Sequence, residues 1–341
     1  MLNNTFKILS ATAISAALLI TTGCQKKSRT EKEVVVYTYD SFGADWAFGP
    51  ELAAAFKEET GYEVKYVIAG SAVEAFEKLL AEKDKPQADV ILGIDNNLAQ
   101  RAIDAGILEP YEAHGIKFIP EHLQEALGSG NYLTPYDYSH FAVIYDTQSD
   151  IPAPQDLESL TSKTYADKLI LMDPRTSSTG LGFLSWTVSV YGDQNEAYWK
   201  RLAPSVHAMT KGWSEGWGLF TKGEAPLCIS YTTSPAYCAI EENNERYVAL
   251  TFDEGHVMQV EGAGLVKGAY NTKGAKTFID YLISTEMQKK LPLKQWMYPA
   301  NKMARINKAF SKVSPVPETT LPTDNNKTQE AVEKAVAAIN K

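Results

Sequence analysis

From Val34 onward, short apolar runs alternate with stretches of helical period, the pattern of parallel strands covered by helices. Val34-Val35-Val36-Tyr37 reads as a buried strand. Pro50 suits a first helical turn, Leu52, Ala55 and Phe56 follow at helical spacing, and Gly61 closes the segment. Tyr62, Val64, Tyr66 and Ile68 then alternate as a half-buried strand, and Ser71 with Glu74 forms a capping box before the stripe Val73, Phe76, Leu79, Leu80. Ala88 to Ile94 is a buried strand that ends at Asp95-Asn96-Asn97. A second series runs from Lys168–Met172 through Asp173-Pro174 into a helix over Gly182–Tyr191, then to a strand at Leu227–Ser230. Two series predict two lobes with a cleft between them. Phe141–Tyr145 and Val257–Val266 are the expected crossings, which assigns 34–137 and 255–341 to the first lobe and 138–254 to the second. Helices are also expected over Ala275–Leu282 and Ala331–Ile339, joined by the Pro-containing stretch Ser314–Thr323.

Residues 1–23 do not belong to this pattern. Lys7 precedes an apolar run from Ile8 to Ile20 that is too short to span a bilayer and sits where a secretory signal belongs. Thr21-Thr22-Gly23-Cys24 resembles a bacterial lipobox, with Thr21 where a larger aliphatic residue is usual, and it implies acyl chains on Cys24 after cleavage. Residues 24–33 are polar and aperiodic, as a solvated tether would be. The folded part is expected outside the cytoplasmic membrane, periplasmic or extracytoplasmic, held by that anchor.

Composition narrows the chemistry. The 341 residues carry 42 acidic and 33 basic side chains, a net charge of −9, without a long Lys/Arg run, so the clustered cations that nucleic acid requires are missing. Three cysteines and five scattered histidines give no metal-ligand spacing. No P-loop, HExxH or G-x-S-x-G sequence occurs, and Gly262-Ala263-Gly264 leads into strand-like sequence rather than a helix. Asp40, Asp45, Asp95 and Asp137 read as turn and cap residues. Catalytic residues, metal and cofactor are therefore all expected to be absent. Aromatic residues in polar loops are the positive signal: Tyr37 to Trp46, Lys211 to Trp217, and Tyr231 to Tyr237. Such faces attract organic cations and stack on flat heterocycles. Hydroxyl residues at expected helix starts, Ser71, Thr176–Thr179 and Thr232–Ser234, are the other signal, because free N–H groups there can hold an anion in an acidic protein.

At these loops the sequence resembles the thiamine-binding substrate-binding proteins of ABC importers. The blocks that carry the resemblance are YTYDSFGADW (37–46), ADVILGIDNNL (88–98), PYDYSHFAVIYD (135–146), DPRTSSTGLG (173–182), TKGWSEGWGLFTKGE (210–224), SYTTSPAY (230–237), EGHVMQVEGAG (254–264) and WMYP (296–299). The resemblance implies a two-lobed type II periplasmic-binding-protein fold, a cargo of thiamine or its mono- or diphosphate, and delivery to an ABC permease with its cytoplasmic ATPase by a monomeric receptor. By motif position it implies ligand contacts at Ser71, Ala72, Ser177, Ser178, Trp213, Tyr231, Thr232, Thr233 and Ser234, with Tyr39, Trp46 and Tyr237 as cleft aromatics. Cys238 follows Tyr237 directly, and it either pairs with Cys228 or is a buried small hydrophobe. Secreted thiaminase I resembles the same architecture and supplies the alternative, an enzyme with a cleft cysteine nucleophile. With Cys24 consumed by lipidation, only Cys228 and Cys238 remain, and neither falls early in the first lobe, where that nucleophile is expected. Ferric-ion binding wants adjacent tyrosines, and no Tyr-Tyr pair exists in the sequence.

Overall fold

Strand β1 (Glu33–Tyr39) is buried along almost its whole length, as its run of valines requires. The computed structural model that shows this describes residues 29–339, so the signal segment, Cys24 and the start of the tether lie outside the described residues. Strand β2 (Glu63–Ala69) pairs parallel to β1 with Tyr37 opposite Val67 and shows the alternating exposure expected of a sheet edge. On the other side of β1 comes β3 (Val90–Asp95), buried throughout. A short β4 (Leu108–Glu109) follows, then β5 (Thr134–Asp146), β6 (Leu169–Met172), β7 (Val206–Thr210), β8 (Leu227–Tyr231) and β9 (Tyr247–Leu250). The chain returns in β10 (His256–Val266) and ends its strands with β11 (Tyr298–Pro299) and β12 (Thr320–Leu321). The main order is β2-β1-β3-β10-β5-β8-β6-β7.

Helix starts follow local chemistry. The helix Phe48–Thr60 stops where Gly61 takes a φ of 72°, a conformation only glycine adopts cheaply. Before the helix Ala72–Ala81, the Ser71 hydroxyl accepts from the Glu74 N–H at 3.1 Å, while the Glu74 carboxylate reaches back to the Gly70 N–H at 2.9 Å, one residue beyond the usual return of a capping box. The helix Ser178–Tyr191 begins four residues earlier than its apolar stripe suggested, because Ser177 caps it by accepting from the Gly180 N–H.

Two antiparallel strands join the lobes. The first part of β5 pairs with β10, from His140 opposite Met258 to Thr134 opposite Ala263. Its second part pairs with β8 and β9, from Phe141 opposite Tyr231 and Val143 opposite Leu250. One continuous strand is thus shared by both sheets, longer than the expected Phe141–Tyr145. Phe141 lies beneath Gly182, where a Cβ atom would stand 1.8 Å from the phenyl ring, so a helix of the second lobe rests on the crossing strand only because residue 182 has no side chain.

The C-terminal segment departs from the expected partition. The helix Asn325–Ile339 packs on Ser178–Tyr191 and on the helix Asn195–Leu202, both in the second lobe, after β12 has paired with the start of β10. Residues 325–339 therefore leave the lobe to which 255–341 was assigned and add a third connection between lobes. The physical reason is an apolar stripe, Val332, Ala335 and Val336, that needs a helical surface to bury against.

Candidate functional site

The strands on both sides of the crossing point their carboxyl ends at one cavity of about 420 Å³, the place where open α/β sheets bind ligands. The end of β1 supplies Tyr39, Asp40, Ser41 and, after a turn, Trp46; the end of β2 supplies Gly70, Ser71 and Ala72. Facing them are Ser177, Ser178 and Thr179 at a helix start, and Trp213, Ser214 and Trp217 from the helix Trp213–Thr221. Tyr231, Ser234 and Tyr237 follow β8, and Lys294 to Met297 complete the rim. At Gly212 a Cβ would come within 3.1 Å of the Gly70 carbonyl oxygen, so the two lips nearly touch.

One wall is held rigidly. Trp213 and Trp217 sit four residues apart on a helix and stack with centroids 5.7 Å apart and planes 11° from parallel. The Trp213 indole N–H donates to Ser230 Oγ at 2.7 Å, Ser230 shares a 2.6 Å hydrogen bond with Ser234, and Ser234 Oγ accepts from the Tyr231 N–H at 3.1 Å. Tyr231 is tied to Thr179 through their hydroxyls at 2.8 Å. Tyr237 meets Trp296 edge to face at 5.4 Å. Trp296 is held at a φ of 60°, a left-handed conformation that costs a bulky residue about 1–3 kcal/mol and persists only because its surroundings enforce it. Trp46, in contrast, is 69% exposed.

The floor is acidic. Glu261 of β10 lines the cavity, accepts from the Tyr39 hydroxyl at 2.5 Å and the Gln259 amide at 2.7 Å, and accepts a further hydrogen bond from the Tyr136 hydroxyl. In the sheet it lies between Asp95 of β3 and Asp137 of β5. Burial, eased by the two tyrosine donors, holds the Glu261 carboxyl up at about 7. Asp137 is pushed well above the usual carboxylate range by burial and then by the Glu261 charge. Burial raises Asp95 to about 6, although the Asn97 and Leu98 N–H groups donate to it.

The expected residues Tyr39, Trp46, Ser71, Ala72, Ser177, Ser178, Trp213, Tyr231, Ser234 and Tyr237 all face this cavity. Thr232 and Thr233 do not: both are fully buried behind it, where their hydroxyls bond to Ser139 of β5 at 3.3 and 3.1 Å and the Thr232 N–H donates to the His140 carbonyl. Their role is to knit the turn after β8 to the crossing strand. Sequence reading also missed residues. Trp217 was signalled by its four-residue spacing from Trp213, and Glu261 by being a lone carboxylate inside an apolar strand. Asp95 is the turn residue it was read as, accepting from the Asn97 and Leu98 N–H groups, whereas Asp137 lies within β5 and forms neither turn nor cap.

Cys228 and Cys238 are free, buried thiols outside the cavity lining, which decides between the pairing and the buried alternatives. Burial pushes the Cys228 thiol up, and burial with Glu242 pushes Cys238 up to about 12, so both stay protonated. Although no two tyrosines adjoin in sequence, the Tyr39 and Tyr136 hydroxyls lie 3.1 Å apart; burial keeps both protonated and they are spent on Glu261. Among the described residues no group of three or more His, Cys, Asp or Glu side chains could hold a metal ion, and no helix is long and apolar enough to cross a membrane.

Residues 51–314 match the family model described as bacterial extracellular solute-binding protein. The chain is 36% identical to the thiamine-binding periplasmic protein of Brucella abortus over 90% of its length and 91% of the relative's. It is 38% identical to that of Escherichia coli over 84% of this chain and 86% of the relative's. A solved periplasmic thiamin binding protein superposes with a TM-score of 0.83 at 35% identity, covering 91% of this chain and 96% of that one. A solved ferric binding protein from Campylobacter jejuni, at 19% identity and a TM-score of 0.74 over 90% of this chain and 98% of that one, shares the fold alone. With its two lobes, its crossing strands and its cleft, the chain belongs to the bacterial extracellular solute-binding proteins, in the family of the thiamine-binding periplasmic proteins.

Proposed function

We propose that this protein is a non-enzymatic receptor that captures thiamine, or its mono- or diphosphate, outside the cytoplasmic membrane and delivers it to an ABC permease driven by a cytoplasmic ATPase. The observation that carries the reading is a cavity with stacked indoles on one wall and a buried carboxyl in its floor. Thiazolium is a flat organic cation, and each well-placed ring attracts such a cation by about 0.5–2 kcal/mol. The helix starts at Ser71 and Ser177 offer N–H groups and hydroxyls to a phosphate without needing a lysine or arginine. Two periplasmic relatives named for thiamine binding support the same cargo.

Titration calorimetry with thiamine, its monophosphate and its diphosphate tests this directly. One-to-one binding of at least one of them is expected, and no heat with any of the three would remove the reading. The receptor is proposed to act as a monomer, anchored through Cys24; membrane partition of a processed Cys24→Ser protein would contradict the anchor. The thiaminase alternative requires an accessible thiolate, and the buried thiols of Cys228 and Cys238 argue against it. Incubating the protein with thiamine and an amine, then finding a cleaved pyrimidine, would reinstate it.

A further inference from the structure

Glu261 and Asp137 are register partners on β10 and β5, the two strands that join the lobes, and the register slips immediately beyond them so that Tyr136 also opposes Glu261. Directly opposed residues on neighbouring strands bring their side chains within about 5 Å of each other. Both are almost completely buried. Glu261 has three donors, Tyr39, Tyr136 and Gln259, and it faces the cavity. Asp137 sits behind it, and among the described residues no group donates to either of its oxygens. Two carboxylates cannot both stay ionised at this spacing in a buried site without a cation.

No such cation comes from the surrounding elements. β1 contributes the hydroxyl of Tyr39, β3 the acid Asp95, β8 the phenol of Tyr231, β5 itself Tyr136, β10 the amide of Gln259, and β11 only Pro299 opposite Asp137 with Tyr298 beside it. The one basic residue of the cavity lining, Lys294, lies 3.8 Å from Glu51 and so is turned to an acid outside the cavity. The pair can therefore relieve its charge only by holding a proton or by facing a cation that enters the cavity.

We propose that the Asp137–Glu261 pair holds one proton between its carboxyls while the cavity is empty and releases it to solvent when a cationic ring enters, so that capture of the cation and loss of the proton are one event. A carboxyl O–H bond breaks, the proton passes to the buffer, and the second carboxylate charge is balanced by the ring. This rests on the cationic cargo proposed above. It makes Glu261, which lines the cavity, a charge-selecting residue and Asp137 the positioning residue whose carboxyl burial and the Glu261 charge keep protonated in the empty protein. Burial holds the pKa of Glu261 up at about 7, which places the exchange near neutral pH.

The test is calorimetry of the intact protein with thiamine near pH 7 in buffers of different ionisation enthalpy, which counts protons exchanged on binding. Release of about half to one proton per thiamine is expected, with affinity falling by up to about tenfold per pH unit below neutrality. An analogue with a neutral thiophene ring in place of thiazolium keeps the same aminopyrimidine and should bind without that release. Asp137→Asn should lower the proton count, because it removes the carboxyl on which the Glu261 charge holds a proton. If that variant fails to fold, the wild-type buffer series and the neutral analogue still decide. Thiamine binding with no buffer dependence, or equal release with the neutral analogue, overturns the proton coupling and leaves the thiamine reading standing. No heat with thiamine overturns both.

Discussion

The aromatic wall and the acidic floor of the cleft differ in one physical respect. Each polar atom that fixes the wall has a partner: the Trp213 N–H rests on Ser230, and Ser230 on Ser234. In the floor, Asp137 lacks a donor among the described residues, and Asp95, Glu261 and Asp137 stand side by side across three strands. The stacked indoles are fixed without a ligand, whereas the floor holds a buried carboxyl that no donor among the described residues reaches. Preorganised rings supply affinity at little entropic cost, and a buried carboxyl pair with one member lacking such a donor supplies discrimination by charge.

The sharpest way to break this comparison is to remove the wall. Trp213→Ala should weaken thiamine binding by about 2–3 kcal/mol, roughly 30- to 150-fold in Kd, because a fixed and half-buried indole is lost from the centre of the site. Trp46→Ala should cost about 1 kcal/mol or less, since that ring is 69% exposed; a reversal of this order in calorimetry would mean that the exposed rim dominates.

Next in size is the floor's effect on stability. The Asp137 carboxyl is raised in the folded protein by burial and then by the Glu261 charge, so its contribution is fully present below its unfolded value and is lost as pH rises through the folded one. Asp137→Asn mimics the protonated form and should raise the melting temperature at pH 8 more than at pH 5. A uniform shift would show that Asp137 is not the titrating group. Histidines of the crossing strands act with the opposite sign. Burial lowers His140 to about 4 and also lowers His256, so the stability of keeping them neutral is present above about 6.5 and lost progressively as pH falls toward 4. Replacing His140 with Gln should flatten the acid limb of the melting profile.

A smaller effect is expected where the lips meet. Gly212→Val would add bulk within reach of the Gly70 carbonyl, and about a tenfold loss of affinity with little change in melting temperature is expected. Of similar size to the loss of Trp46, Ser230→Ala frees the Trp213 indole and should weaken binding by about 1 kcal/mol. If it costs as much as Trp213→Ala, the ring's orientation rather than its area sets the affinity.

Much of this architecture was legible in local pattern. The valines of β1, the alternation of β2 and the caps at Ser71 and Gly61 act over a few residues, so the chain declares them without tertiary help. The aromatic clusters were legible too, although the segments read as loops include helix and strand: Trp213 and Trp217 share a helical face, Tyr39 and Tyr231 end strands, and Tyr237 lies on the helix Pro235–Glu241. Thr232 and Thr233 enter the expected site by their motif position in the resembling block SYTTSPAY, and a hydroxyl run before a helix looks alike whether it faces a ligand or a crossing strand; only the position of Ser139 separates the cases. The Asn325–Ile339 helix shows its apolar stripe plainly, but not which lobe offers the surface that receives it.

By itself the sequence determined the strands, most of the helices and the aromatic character of the cleft, since backbone preference and side-chain periodicity are local. Tertiary structure alone decided the acidic floor. Tyr136 and Glu261 are 125 positions apart, and neither residue type nor spacing foretells that two strands will lay a second carboxyl beside the first. Register across the crossing fixes which charges face each other, and burial then fixes what those charges cost, so the site's electrostatics exist only once the two lobes share a strand.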